Sequence, residues 1–138
     1  MSSHVFLSLT VEAAVENLPS VNAMIDGTAQ IPDDVKPVLL VIAEEIFVNI
    51  CSYSYGDGRG NVTVALDIFG NSVSLTFTDS GKPFDPTAGV PAIEDYDHDN
   101  DIGGLGRFLV FELADDHSYR YSDGKNILTV TKRFDNNP

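Results

Sequence analysis

Strict alternation of apolar and polar positions marks three parts of the chain as strands with one buried face. In the first, Val5, Leu7, Leu9 and Val11 alternate with Phe6, Ser8 and Thr10. The second is a pair: Val62, Val64, Leu66 and Ile68 alternate within 61–69, and Val73, Leu75 and Phe77 within 72–78. Gly70-Asn71 between them has the composition of a two-residue hairpin turn. The third predicts a closing hairpin, Tyr119–Tyr121 with Ile127–Phe134, turned at Asp123-Gly124.

Between these strands the period changes to that of a helix. Ala13, Ala14, Val21, Met24 and Ile25 suit a helix from Glu12 to about Met24, interrupted or restarted at Pro19 and closed by Gly27. The strongest signal runs from Asp34 to Tyr53, where Val35, Leu39, Ile42, Ile46 and Ile50 form one apolar stripe. Asp33 or Asp34 is the expected N-cap, and Pro37 falls in the first turn, where a missing N–H costs little. A long loop rich in Asp, Gly and Pro follows from Ser80 to Gly104, and a helix is predicted from Leu105 to Ala114. The order is strand, helices, two strands, helix, two strands. It predicts an α+β fold, a two-layer α/β sandwich with helices on one face of a mostly antiparallel sheet. No repeat or linker divides the chain, so 1–138 is expected to be one domain.

Composition narrows the function classes. Acidic residues outnumber basic ones by 21 to 8, for a net charge of −13. That is the wrong sign for nucleic acid, which needs a basic face. No stretch approaches the roughly 18 apolar residues of a membrane span, and a lone cysteine, Cys51, fits a reducing compartment, so a cytoplasmic protein is expected. A phosphate ligand would need backbone N–H groups or Mg²⁺ to offset the charge.

Three short motifs carry chemistry. Glu45 and Asn49, four apart on the central helix, share one face at the edge of the apolar stripe. An amide oxygen there suits Mg²⁺, and a carboxylate can take a proton from a nucleophile; a solvated Glu and a surface Asn would look the same. Asp79-Ser80-Gly81-Lys82-Pro83-Phe84 leaves a strand end. Its carboxylate can accept from an exocyclic amine such as adenine's, with glycine permitting close approach, and an Asx turn would use the same residues. Gly103-Gly104-Leu105-Gly106 opens a helix and exposes N–H groups where its dipole is positive, though a flexible loop entering a helix needs the same glycines. It lacks the Gly-Lys-Ser/Thr of a P-loop and the spacing of a dinucleotide fingerprint. The acidic run from Glu94 to Asp101 fails as a calcium loop, with Asn100 at the sixth position from Asp95 and Gly106 at the twelfth. His4, His98 and His117 have no metal-ligand spacing, and Cys51 has no basic neighbour in sequence, so it is expected to be structural.

Taken in order, the three motifs resemble the Bergerat-type ATP-binding domain of gyrase, Hsp90, histidine kinases and MutL, and most closely the stand-alone anti-sigma-factor serine/threonine kinases. The resemblance covers nearly the whole chain, ending in the hairpin Asp123-Gly124-Lys125-Asn126-Ile127-Leu128-Thr129-Val130. It implies that Asn49 ligates Mg²⁺, Glu45 acts as general base, and Asp79, with Gly81, Lys82 and Phe84 beside it, receives the adenine of ATP. Gly103, Gly104, Leu105 and Gly106 would receive the phosphates, and Thr129 would join the adenine contact through water. The implied substrate is a serine or threonine of a small antagonist protein of the STAS type; a sigma factor is the other implied partner, and the kinase pairs as a homodimer. Two features depart from the family. The loop 87–102 in the place of an ATP lid is acidic, with only Lys82 and Arg107 as nearby cations, and no phosphoacceptor-histidine helix is present in the sequence. A non-catalytic, ATP-gated interaction module is the competing expectation.

Overall fold

The computed structural model describes residues 4–56, 58–86 and 110–134. Five strands form one antiparallel sheet: β1 (His4–Glu12), β2 (Asn61–Phe69), β3 (Ser72–Asp79), β4 (Asp116–Ser122) and β5 (Lys125–Arg133), in the spatial order β1-β2-β3-β5-β4. The predicted hairpin turns are present. Gly70 takes a φ of 60°, and Asp123 and Gly124 take 54° and 75°, the left-handed pair that a two-residue turn between twisted strands requires.

Alternation along β2, β3 and β5 gives the sheet two unlike faces, while in β1 the expected inner residue Leu7 is exposed. The inner face carries Val62, Val64, Leu66 and Ile68 of β2, Val73, Leu75 and Phe77 of β3, and Leu128 and Val130 of β5, all buried. The outer face is hydroxyl-rich, and cross-strand neighbours pair directly: Thr10 with Thr63, Ser74 with Thr131, and Thr76 with Thr129. Helices α1 (Leu18–Asp26) and α2 (Lys36–Tyr53) cover the inner face, and residues 110–113 are also helical. The α2 stripe of Leu39, Ile42, Ile46 and Ile50 is buried as predicted, joined by Ala43 and Phe47. The α+β sandwich expected from the pattern is the architecture found.

Two details differ from expectation. The first helix starts at Leu18, after a 3₁₀ turn at Val15–Asn17, because Pro19 fits only a first turn and Ala14 is extended. The central helix begins at Lys36 and makes no side-chain cap hydrogen bond, so neither Asp33 nor Asp34 caps it. The carbonyl of Pro32 accepts from the N–H groups of both Val35 and Lys36, so the entry turn is closed by backbone alone. No helix among the described residues is long and apolar enough to cross a membrane.

Candidate functional site

A cleft opens where α2 and the helical turn at 110–113 diverge over the ends of β3 and β5. The space between its walls is about 490 Å³ with the open solvent at its mouth included. Ile46, Ile50, Phe77, Val110 and Leu128 supply apolar walls, and Glu45, Asn49, Ser54, Asp79, Tyr119 and Asn126 supply the polar groups.

Glu45 and Asn49 arrive together because four residues make about one helical turn, and both are half-buried beside the α2 stripe. The Asn49 carboxamide makes no hydrogen bond among the described residues. Asp79 reaches the same cleft by strand parity. It is the last member of the inner set Val73, Leu75, Phe77, Asp79, so a carboxylate sits where the alternation calls for a buried side chain, at 5% exposure. Its Oδ1 accepts from the N–H of Gly81 at 2.9 Å, an Asx turn across the strand end, and from Nδ2 of Asn126 at 3.0 Å. Oδ2 accepts no hydrogen bond among the described residues. The turn and an outward-facing acceptor are therefore compatible in one carboxylate.

Phe84 lines the cleft and stacks on Tyr53 of α2, ring centroids 6.2 Å apart and planes 27° from parallel. Gly81 and Lys82 adjoin the site through their backbones. The Lys82 N–H donates to the carbonyl of Ser54, and its carbonyl accepts from Asn126. Neither residue lines the cleft, and the Lys82 side chain is exposed. Thr129 is a correction: it belongs to the opposite parity of β5 and pairs with Thr76 on the outer face, so the sheet separates it from the cleft. Gly103, Gly104, Leu105 and Gly106, with the acidic loop before them, lie outside the described residues.

Asn126, Tyr119 and Ser54 are the polar cleft residues that sequence reasoning did not assign to the site. Asn126 pairs with Asp79 across the β3–β5 ladder and is 5% exposed. The signal was present: Asn126, Leu128 and Val130 share the inner parity of β5, whereas Thr129, taken from the family resemblance, falls on the other. Tyr119 donates its O–H to Asn126 Oδ1. Burial raises its phenol above the ordinary tyrosine value; the backbone of Phe84 pulls the other way, and the charges of Asp85 and Asp79 add to the rise.

The donor set suits an adenine nucleotide with Mg²⁺: apolar walls for a planar ring, a buried carboxylate acceptor, and an amide oxygen beside a second carboxylate, all lining one cleft. Mg²⁺ bound with a nucleotide takes few protein ligands, because phosphate and water oxygens fill the rest of its shell.

Comparison with known proteins agrees with this geometry. The family model described as "Histidine kinase-like ATPase domain" matches residues 9–132. A serine-protein kinase RsbW of Listeria monocytogenes serovar 1/2a is 29% identical, the match covering 65% of this chain and 61% of that protein. A serine-protein kinase RsbW of Bacillus cereus strain G9842 is 24% identical, over 70% of this chain and 62% of its own length. The chain thus spans about three fifths of the length of these relatives.

Proposed function

The chain belongs to the histidine kinase-like ATPase domain family, and from that premise we propose that it binds ATP·Mg²⁺ in the α2–sheet cleft and phosphorylates a serine or threonine of a small antagonist protein. The observation that carries this reading is the placement of Asp79 and of the Glu45/Asn49 pair around one apolar slot, reached from β3 and α2 independently. The likeness to serine-protein kinases supports the choice of a protein hydroxyl as acceptor.

In this reading Asp79 Oδ2 accepts the exocyclic amine of adenine, and Phe77, Leu128, Ile46 and Ile50 exclude water from the ring. Asn49 holds Mg²⁺ through its amide oxygen. The bound ion supplies charge neutralisation at the phosphates, which matters in a chain of net charge −13. Glu45 orients the acceptor hydroxyl and takes its proton. Gly103 to Gly106 receive the phosphates through backbone N–H groups. The partners are an antagonist protein and a sigma factor, with the kinase paired as a homodimer in the cytoplasm.

The test is a thermal melt with ATP, with and without Mg²⁺, on wild type and Asn49→Ala. Ligand at about a hundred times its dissociation constant adds roughly 2.7 kcal/mol, a shift of several degrees at this size. A shift that needs Mg²⁺ and is lost in Asn49→Ala is expected, and no shift at millimolar ATP overturns the reading. With an antagonist protein as acceptor, Glu45→Ala is expected to keep the shift and lose phosphate transfer. Nucleotide-dependent partner binding without transfer in wild type would leave a gated interaction module in place of a kinase.

A further inference from the structure

Asn126 is saturated by its surroundings in only one orientation. Its Nδ2 donates to Asp79 Oδ1 at 3.0 Å and to the carbonyl of Lys82 at 2.9 Å, with the carbonyl of Gly81 at 3.4 Å. Its Oδ1 accepts from the N–H of Phe84 at 3.0 Å and from the O–H of Tyr119. A backbone N–H can only donate and a backbone carbonyl can only accept, so the two ends of the amide cannot exchange. Both N–H donors and both acceptor lone pairs of the amide are used, which leaves none for a ligand.

From this geometry we infer that Asn126 is the positioning residue that sets base selectivity, by pinning Asp79 Oδ1 so that Oδ2 alone meets the base. The inference rests on the nucleotide reading of the cleft. Its physical basis is that a carboxylate at a strand end has a free torsion about its Cβ–Cγ bond. The Gly81 N–H holds one oxygen from the side of the loop, and Asn126 holds the same oxygen from the side of β5. Fixed from both sides, the carboxylate presents one acceptor in one direction. An amino group at purine position 6 matches that acceptor, and a 6-oxo group opposes it. The same amide ties Lys82 and Phe84 to β5, so the loop that carries Phe84 is registered against the carboxylate.

The experiment compares ATP and ITP, which differ at position 6, by calorimetric affinity on wild type, Asn126→Ala and Asn126→Asp. Wild type is expected to prefer ATP. In Asn126→Ala the ATP-to-ITP ratio is expected to fall by about tenfold, the factor attached to one misaligned hydrogen bond. Asn126→Asp keeps the acceptor toward Phe84 and Tyr119 but faces Asp79 with a second carboxylate. Two carboxylates that close repel as a doubly charged pair and so take up one shared proton as pH falls, sooner than either alone, which restores a donor. The ATP-to-ITP ratio of Asn126→Asp is therefore expected to recover as pH falls from 8 to 5.5. Both variants weakening ATP and ITP by equal factors, with no pH recovery, would overturn the inference and leave Asn126 a structural residue. Should Asn126→Ala fail to fold, the pH profile of Asn126→Asp decides alone. Wild type that binds neither nucleotide overturns the nucleotide reading and this inference with it; wild type that prefers ATP while the variants keep its ratio overturns this inference only.

Discussion

Gly81 lies so close to the end of α2 that a Cβ built on it would sit 2.1 Å from the carbonyl oxygen of Ser54 and 2.6 Å from its carbonyl carbon. The contact is sealed by the Lys82 N–H, which donates to that same carbonyl at 2.9 Å. The glycine is therefore demanded first by the helix and only then by whatever enters the cleft. Because the clash is with backbone, Gly81→Ala is expected to lower stability by about 1–3 kcal/mol, the range for overpacking a tight contact. Urea unfolding measures it; a change under a few tenths would mean that the loop can move aside freely.

Tyr119 gives the site an alkaline limit. Its phenol is raised by burial, so the folded state keeps a proton that the unfolded chain releases near pH 10. Between the ordinary and the raised value the unfolded state binds fewer protons, so stability falls as pH rises. This contribution is fully present below pH 10 and lost above it. Melting temperatures from pH 8 to 11 are expected to drop more steeply in wild type than in Tyr119→Phe.

Glu12 and Arg59 form a two-pronged ion pair at the far end of β1, with N···O distances of 2.6 and 2.9 Å. The hydrogen bond from Arg59 holds the Glu12 carboxyl below its ordinary value. Its contribution to stability is thus present above the ordinary carboxylate range and lost as pH falls through the depressed value. An NMR titration of Glu12 is expected to move to higher pH in Arg59→Ala, with little change in neutral stability because the pair is solvent-exposed.

Leu66 is fully buried on β2, paired with Leu7 on one side and Leu75 on the other. Leu66→Ala is expected to cost about 2–5 kcal/mol through lost burial and the cavity left behind. Chemical denaturation at constant m-value checks it.

Thr129→Val discriminates between the two faces of the sheet. It removes a hydroxyl pair with Thr76 at 3.1 Å, outside the cleft. The expected result is a loss of about 1 kcal/mol or less in stability and unchanged ATP affinity. A clear loss of ATP affinity would place Thr129 at the ligand after all.

Much of this architecture is decided by local pattern. Alternation with period two selects the strands, and the Gly70-Asn71 and Asp123-Gly124 turns set their register, because Gly70, Asp123 and Gly124 take the positive φ that such turns need at little cost. The α2 stripe places Glu45 and Asn49 on its margin, since helical spacing alone brings residues four apart onto one face. What the pattern could not decide is which groups meet across elements. Asp79 and Asn126 are 47 positions apart in the chain, and they oppose each other only because β5 returns beside β3 rather than beside β2. Thr129 and Asn126 look equally available in sequence, and the parity of the paired strand sends one into the cleft and the other to the far face. Close approach of Gly81 to Ser54 likewise depends on how α2 docks on the sheet. Periodicity is local and survives in a one-dimensional reading, whereas hydrogen-bond partnership depends on long-range packing, which the tertiary structure alone supplies.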